Sequence, residues 1–300
     1  MDRIFPLAVL ALFLSFCSSP PYVYIESANQ NSRIDYIVIH GTSENFSESL
    51  RLLTEETNYP VSSHYLIPTL EDASYPKKSL RVYSLVQEHR RAWHAGRSFW
   101  AGETNLNDRS IGIELVNEFE CQTGEVPSSP DQVEDLSCDF KPYPNTQITE
   151  LVALLKNILA RYPEIDPIDI LGHSDIATMR KSDPGPLFPW RTLYDNGIGA
   201  WPDDGSVAKY KAHFTEQLPS ILHLQEALLG LGYSLEVSGF FDSETQFAVR
   251  AFQLHFRSSN FGGQVDSETA AILWALLEKY RPRILQVLEN HSSINSADES

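Results

Sequence analysis

Short runs of β-branched and aromatic residues alternate with longer helical patterns along this chain. The most compact run, IDYIVIHGT at 34–42, has the dense Ile and Val content of a buried central strand. The runs SSHYLIP, RVYSLV, SIGIELVN and PIDILGH also predict strands. The segment 145–163 predicts an amphipathic helix because its apolar residues recur every three or four positions. This alternation predicts an α/β domain with a mixed β-sheet flanked by helices.

Several polar residues fall at or near the ends of these predicted strands. His40 ends the first strand, and His173 follows PIDILG. Glu114 lies on SIGIELVN, where it faces away from the isoleucines. Asp183 lies in a Pro- and Gly-rich loop close to Lys181. Two imidazoles and a carboxylate suit zinc, a further carboxylate suits a general base, and a lysine can stabilise an oxyanion.

Each of these residues also has a simpler structural interpretation. A histidine after a strand is more often hydrogen-bonded in the core than a metal ligand. Asp183 precedes Pro and Gly and can start a turn, Lys181 can be a solvated charge, and Glu114 can belong to an ion pair. No short motif such as His-Glu-x-x-His is present, so spacing alone does not identify a site.

Longer motifs carry a resemblance to a known family. The stretches YIVIHGT, SSHYLIP, AWHAGRS, NDRSIGIELVN and GHSDIATMRKSDPGPLFPW occur in this order within residues 34–190, and GIGAWP and FQLHFR follow. Together they resemble the zinc-dependent N-acetylmuramoyl-L-alanine amidases that are related to phage T7 lysozyme and the peptidoglycan recognition proteins. The resemblance implies that fold, with a catalytic domain over residues 28–195.

The resemblance also implies roles for individual residues. It implies a Zn²⁺ cofactor held by His40, His173 and Asp183. It further implies that Glu114 is the catalytic carboxylate and that Lys181 stabilises the tetrahedral intermediate. Ser63 stands where the phage enzyme has a catalytic tyrosine, so we expect Glu114 to carry the larger role here.

Two further histidines lie in the family motifs without matching a ligand. We expect His94, in WHAG, to line the substrate cleft and bind substrate, although a packed structural histidine is an equal alternative. His64, in SSHYLIP, is not expected to bind metal.

The C-terminal part of the chain predicts a second, smaller unit. Residues 196–213 lack periodicity and predict a linker, whereas 214–289 contain three helical patterns, two of which begin with Asp-Ser-Glu-Thr. Ser243 and Asp266 begin predicted capping boxes, and Trp274 is expected in the core. This three-helix bundle resembles a peptidoglycan-binding domain, although a packing module without a ligand is the alternative. The Ser- and Asn-rich tail, 290–300, predicts disorder.

The N-terminus predicts export. Arg3 precedes an apolar run that is too short to span a bilayer but suits a secretory signal over residues 1–17. Cys17 resembles a bacterial lipoprotein cleavage site, although Phe16 departs from the small residue usual there. We therefore expect a periplasmic lipoprotein anchored in the outer membrane through Cys17. A plain signal peptide cut later, or an uncleaved anchor, is the alternative.

Cysteine usage and charge limit the remaining choices. In an oxidising compartment Cys121 and Cys138 can form a disulfide, although two unrelated thiols are the alternative. The formal charge of −17 argues against nucleic acid as a partner and against adsorption to an anionic membrane surface.

Two functions from different classes therefore compete. The first is a zinc amidase that cuts between N-acetylmuramic acid and L-alanine, with peptidoglycan and muropeptides as partners and the protein as a monomer. The second is a non-catalytic peptidoglycan-recognition protein, a group whose members lose a metal ligand, usually the third. Asp183 is present at the third position, which favours the enzyme.

Overall fold

The computed structural model describes residues 22–120 and 138–298, with side chains as far as 290. It divides into two compact units, 1–31 and 32–300. Residues 22–31 of the first unit contain no helix or strand. The predicted signal segment with Cys17, like Cys121, lies outside the described residues. Cys138 is disulfide-bonded. None of the described helices is long and apolar enough to cross a bilayer.

The second unit contains a five-stranded mixed sheet and a two-stranded hairpin. The strands are β1 Tyr36–Gly41, β2 Tyr65–Ile67, β3 Tyr83–Ser84, β4 Phe99–Trp100, β5 Glu103–Thr104, β6 Ser110–Leu115 and β7 Ile170–Gly172. The sheet has the order β3-β2-β6-β1-β7, and only β3 runs antiparallel to its neighbour. Strands β4 and β5 form the hairpin. The predicted mixed sheet is confirmed.

Helices flank the sheet and continue to the C-terminal end of the described chain. They are α1 Phe46–Thr54, α2 Asn145–Arg161, α3 His173–Ile176, α4 Trp190–Asp195, α5 Asp204–Glu216, α6 Ile221–Leu231, α7 Ser243–Phe256, α8 Ser267–Tyr280 and α9 Pro282–Asp298. Helix α2 begins and ends within the segment that the apolar spacing predicts.

The two faces of the sheet pack against different helices. Ile37 and Ile39 of β1 share a core with the buried stripe of α2. Val38, between them, belongs to a second core that also contains apolar residues from α5 to α9. Because side chains alternate along a strand, His40 lies on the Val38 face, away from α2. Glu114 likewise lies opposite the buried Ile113 of β6, as the sequence pattern predicts.

The C-terminal helices α6, α7 and α8 pack together as predicted, and they also share the second core with the sheet. Trp274 lies in this core, as predicted. The segment 196–213, predicted as a linker, instead contains most of α5, whose Tyr210 and Phe214 are buried against α8. Tyr210 and Phe214 are the buried residues of this helix and Val207 is partly buried beside them, so its apolar stripe is too narrow to give visible periodicity. Helix α9 also continues to Asp298, where the composition predicts disorder.

The helix starts differ in detail from the predicted caps. Asn45 caps α1 by accepting the Glu48 N–H. Asp242 caps α7 by accepting the Thr245 N–H, one residue before the predicted Ser243. Asp266 caps α8, as predicted. In each case the side-chain oxygen satisfies a backbone donor that lacks an intrahelical partner.

Candidate metal centre and active site

Parallel strands bring the predicted site residues to one edge of the sheet. His40 on β1 lies directly beside Glu114 on β6, and Gly172 at the end of β7 lies beside Ile39. His173 begins α3 immediately after β7. Asp183 reaches the same place through a loop. The Ser174 N–H donates to the Asp183 carbonyl oxygen at 2.9 Å and so holds the two ends of this loop together.

Three buried side chains converge there with the spacing of metal ligands. His40 Nδ1 lies 3.0 Å from His173 Nδ1, and Asp183 Oδ2 lies 3.4 Å and 3.2 Å from these two nitrogens. Zinc takes N and O ligands at about 2.0–2.1 Å in a tetrahedron, which places ligand atoms about 3.3 Å apart. The three donor atoms therefore have the separations that one tetrahedral ion requires.

A chain of hydrogen bonds fixes which His40 nitrogen is free. The Ser110 hydroxyl donates to the Leu106 carbonyl oxygen at 2.6 Å, so its oxygen accepts from His94 Nε2 at 3.1 Å. His94 Nδ1 must then accept from His40 Nε2–H at 3.0 Å. Burial lowers the pKa of His40 to about 4, so the ring is neutral and Nδ1 keeps its lone pair. Hydrogen bonds of this kind orient metal-binding histidines.

His173 is oriented in the same way by the backbone. Its Nε2 lies 3.3 Å from the Ala95 carbonyl oxygen, which can only accept, so this nitrogen carries the proton. Arg180 holds that carbonyl in place by donating from Nη2 to the carbonyl oxygens of Ala95 and Arg97 at 3.0 and 2.9 Å. The Arg180 side chain therefore braces the loop that orients His173.

The donor set fits a zinc ion chemically as well as geometrically. Burial alone would raise the pKa of Asp183, but the neighbouring His173 and His40 imidazoles hold it well below its usual value, so this group is a carboxylate. One carboxylate oxygen and two imidazole nitrogens thus face a single point. Two imidazoles with one carboxylate suit zinc better than magnesium or calcium. His40, His173 and Asp183 form a cluster that could hold a metal ion.

Glu114 lies beside the cluster but outside its tight spacing. Its Oε1 is 4.0 Å from His40 Nδ1. Burial, and after it the Asp183 carboxylate, raises the pKa of Glu114 to about 8, although the nearby Lys181 acts in the opposite direction. A divalent cation at the cluster would lower this pKa, since positive charge favours the carboxylate. Glu114 therefore lies directly beside the three candidate ligands, and its carboxyl group lines the same cavity.

Lys181 lines the same cavity, which has a volume of about 290 Å³. Within residues 22–120 and 138–298, its ammonium group has no hydrogen bond or ion pair, so its charge is available to a ligand. A second cavity of about 650 Å³ shares Leu53, Val61, Ser62 and Trp93 with the first. Trp93 is 51% exposed at this shared wall. Trp93 was not among the predicted site residues, although its place in the AWHAGRS motif could have indicated it.

The other predicted positions have mainly structural contacts. His94 lines the cavity, but His40 and Ser110 engage both of its ring nitrogens, so its contacts position His40, and substrate binding stays a prediction. A side chain at Gly112 would come within 2.4 Å of the His94 ring, which explains the glycine in β6.

The two remaining motif residues lie away from the ligands. His64 accepts the Gly112 N–H at 3.0 Å, and its Nε2 lies 3.1 Å from the Arg90 carbonyl oxygen. Ser63 is fully buried and is not among the residues that line either cavity, so its hydroxyl offers no substitute for the tyrosine of the phage enzyme.

Comparison with known proteins gives a consistent result. The N-acetylmuramoyl-L-alanine amidase AmiD of Escherichia coli is 40% identical over 291 residues, which cover 93% of this chain and 99% of the relative. Its structure with anhydro-N-acetylmuramic acid-L-Ala-D-gamma-Glu-L-Lys has a TM-score of 0.71 at 41% identity, covering 85% of this chain and 93% of that chain. The structure of AmpDh3 from Pseudomonas aeruginosa with anhydromuramic pentapeptide has a TM-score of 0.78 at 42% identity, covering 88% and 99%.

The domain families match the two parts of the chain separately. Residues 217–273, in the C-terminal helices, match a peptidoglycan binding domain family. Residues 30–186, which contain the sheet and all three candidate ligands, match the family described as N-acetylmuramoyl-L-alanine amidase. On the strength of this match and of the near full-length similarity to AmiD, the chain belongs to the N-acetylmuramoyl-L-alanine amidase family.

Proposed function

We propose that this protein uses zinc to hydrolyse the amide bond between N-acetylmuramic acid and L-alanine in peptidoglycan and its fragments. The main observation behind this proposal is that His40, His173 and Asp183 have the spacing of tetrahedral metal ligands. Glu114 and Lys181 line the same cavity. Two similar structures hold anhydromuramyl peptides, which supports this substrate class. The intact third ligand disfavours a purely recognition role, because non-catalytic relatives have lost a metal ligand, usually this one.

Each polar group around the cavity has a distinct task in this reaction. A bound zinc ion supplies Lewis acidity, which lowers the pKa of water and polarises a carbonyl group. Glu114 takes the proton as the water oxygen attacks the lactyl carbonyl carbon. The carbon–nitrogen bond then breaks, and Glu114 returns the proton to the leaving amino group of L-alanine. Water therefore supplies both the hydroxyl of the new acid and the proton of the new amine.

Lys181 stabilises the negative charge that develops on the carbonyl oxygen. We expect Lys181→Met to lower kcat by about a hundredfold, since removal of one oxyanion donor costs about 10²–10³ in rate. Bound zinc should stay at the wild-type level, because Lys181 is not a ligand. Steady-state kinetics with zinc analysis measure both values. A Lys211→Met variant, which removes an exposed ammonium on α5, is the control. Unchanged kcat in Lys181→Met would remove this role.

The shared wall between the two cavities is placed to contact the substrate beyond the reacting bond. Arg90, Arg91, Glu55 and Glu56 also line the second cavity, so it offers both charges to the carboxylates and amines of a stem peptide. We expect Trp93→Ala to raise KM about tenfold with little change in kcat, because an exposed aromatic ring supplies binding area rather than chemistry. Kinetics on a muramyl tripeptide test this, and an unchanged KM would contradict it.

The location of the bond that is cut tests the reaction directly. Zinc-loaded protein is incubated with anhydro-N-acetylmuramyl-L-Ala-D-γ-Glu-L-Lys, and the products are separated and weighed by mass spectrometry. The proposal expects free anhydro-N-acetylmuramic acid and a tripeptide with a free L-alanine amino group. Intact substrate, or cleavage between L-alanine and glutamate, would contradict it.

We also propose that the protein is exported and anchored in the outer membrane through a lipid on Cys17. The apolar run before Cys17 supports this proposal, and the reaction needs access to the cell wall. The expected mature N-terminus is a lipidated Cys17, which mass analysis of purified protein can detect. We expect Cys17→Ser to move the protein from the membrane fraction to the soluble fraction. An unmodified N-terminus beyond Cys17 would contradict the anchor.

A further inference from the structure

Residues of the C-terminal helical region form hydrogen bonds with the loop that joins two of the candidate ligands. This ligand loop, residues 172–183, begins at the end of β7 and contains Asp175, which is 1% exposed. Tyr233, after α6, donates its hydroxyl to Asp175 Oδ1 at 2.7 Å. His255, on α7, contacts Asp175 Oδ2 through Nδ1, also at 2.7 Å. Both partners are separated from Asp175 by long stretches of sequence and are buried.

The same carboxylate also sets the direction in which His173 points. The Gly172 N–H donates to Asp175 Oδ2 at 2.7 Å, so Asp175 closes the corner between β7 and the first turn of α3. His173 is the first residue of that turn. The His255 ring is stacked on Trp190 with ring centroids 3.7 Å apart, which fixes its position against the corner. A change in the two C-terminal partners would therefore act on His173 through the backbone of the corner.

A second hydrogen bond is made at the other end of the ligand loop. Arg250, on α7 and 4% exposed, donates from Nη1 to the Ser182 hydroxyl at 3.0 Å. Ser182 directly precedes the candidate ligand Asp183. Helix α7 thus contacts the loop two residues after one ligand and one residue before the other.

Apolar contacts alone would be sufficient to attach the C-terminal helices, because the core that they share with the sheet is extensive. Burying a carboxylate and a guanidinium is costly unless their hydrogen bonds are satisfied, and such groups can fix one arrangement where apolar packing allows several. Asp175 has three donors around it, from the corner and from both C-terminal partners. The polar contacts between the C-terminal helices and the sheet domain thus fall on the loop that carries His173 and Asp183.

We propose that the C-terminal helical domain is part of the metal site's framework, with Tyr233, His255 and Arg250 as positioning residues that hold the ligand loop at both ends. The proposal rests on the zinc site proposed above. The hydrogen bonds described for these three side chains end on Asp175 and Ser182 rather than on a ligand atom. They act through Asp175 and Ser182 on the geometry of His173 and Asp183. The domain that matches a peptidoglycan binding family would thereby also set the zinc affinity of the catalytic domain.

Two variants of the full-length protein test this. Tyr233→Phe keeps the ring and removes only the hydroxyl donor, and Arg250→Met removes the donor to Ser182. The zinc dissociation constant is measured by competition with a chromogenic chelator, and the absorption spectrum of the Co²⁺-substituted protein reports ligand geometry. We expect zinc affinity about tenfold weaker than wild type and a shifted Co²⁺ spectrum in both variants, the low end of the range for residues that support metal ligands.

Gln253→Leu is the matched control. Gln253 lies on α7 between Arg250 and His255 and is fully buried. Among the described residues, its side chain hydrogen-bonds to Gly263, Gln264 and Thr269, which all belong to the C-terminal domain. We expect it to lower Tm while leaving zinc affinity and the Co²⁺ spectrum at wild-type values. If Tyr233→Phe and Arg250→Met behave like this control, the positioning role is wrong. Failure of the zinc site itself has a different signature, because wild-type protein would then bind no zinc, and this inference would fall with it.

Discussion

Replacing His173 with alanine is expected to reduce kcat by about 10⁴-fold and to remove bound zinc. The ring supplies one of three donor atoms within 3.4 Å of one another, and the remaining two are a weaker and less specific set. Loss of the ion removes both the activation of water and the polarisation of the carbonyl group, each of which contributes several kcal/mol. Metal analysis of the purified variant and kinetics on a muramyl tripeptide measure the two effects.

His213→Ala is the control for this variant. His213 lies on α5, is exposed and is not in the metal cluster, so its loss should change neither zinc content nor kcat. The His173→Ala protein should also keep its fold, because the sheet and the C-terminal core do not depend on this ring. Wild-type zinc content in His173→Ala would remove His173 from the ligand set. Loss of zinc with unchanged turnover would contradict a metal-dependent mechanism.

Replacing Glu114 with glutamine is the second large effect, an expected loss of about 10³-fold in kcat with one zinc ion still bound. Glutamine keeps the shape of the side chain but cannot take a proton, and general base catalysis contributes about 10²–10⁴-fold. Zinc is expected to stay because Glu114 Oε1 lies 4.0 Å from His40 Nδ1, outside the spacing of the three donors. Replacing this partly buried carboxyl group with an amide of the same shape should leave the fold intact.

Glu118→Gln is the matched variant for Glu114→Gln. It removes one negative charge three residues after β6, on an exposed side chain, and should leave kcat unchanged. Near wild-type turnover in Glu114→Gln would assign the proton transfer to another group. Parallel loss of zinc and activity would instead make Glu114 part of the metal site.

Local periodicity was sufficient to predict the strands of the sheet and to place two of the site residues on them, although it did not identify the site. The β-branched run around β1 and the alternation in β6 follow from the pleat of a strand, so they place His40 and Glu114 on the face away from α2. Because β1 and β6 are parallel neighbours in the sheet, they then bring these two residues side by side. Asp183 could be assigned only through the family motif, because a loop has no periodicity to read.

The contacts of the C-terminal helices could not be predicted in this way. Tyr233 and His255 meet Asp175 across 58 and 80 residues of sequence, and such contacts depend on tertiary packing rather than on local pattern. The same reason explains α5, a mostly polar helix that forms because two aromatic residues are buried against α8. The hydrogen-bond chain from Ser110 through His94 to His40 could not be predicted for the same reason. It joins three separate segments of the sequence.

A zinc titration of the metal-free protein tests the central claim most directly. Protein is stripped with a chelator and dialysed, zinc is added in steps, and the rate of anhydromuramyl tripeptide cleavage is recorded together with bound metal. The account predicts no measurable turnover at the start, a linear rise to one equivalent of zinc and no further increase. Undiminished cleavage by protein that retains no metal would contradict it.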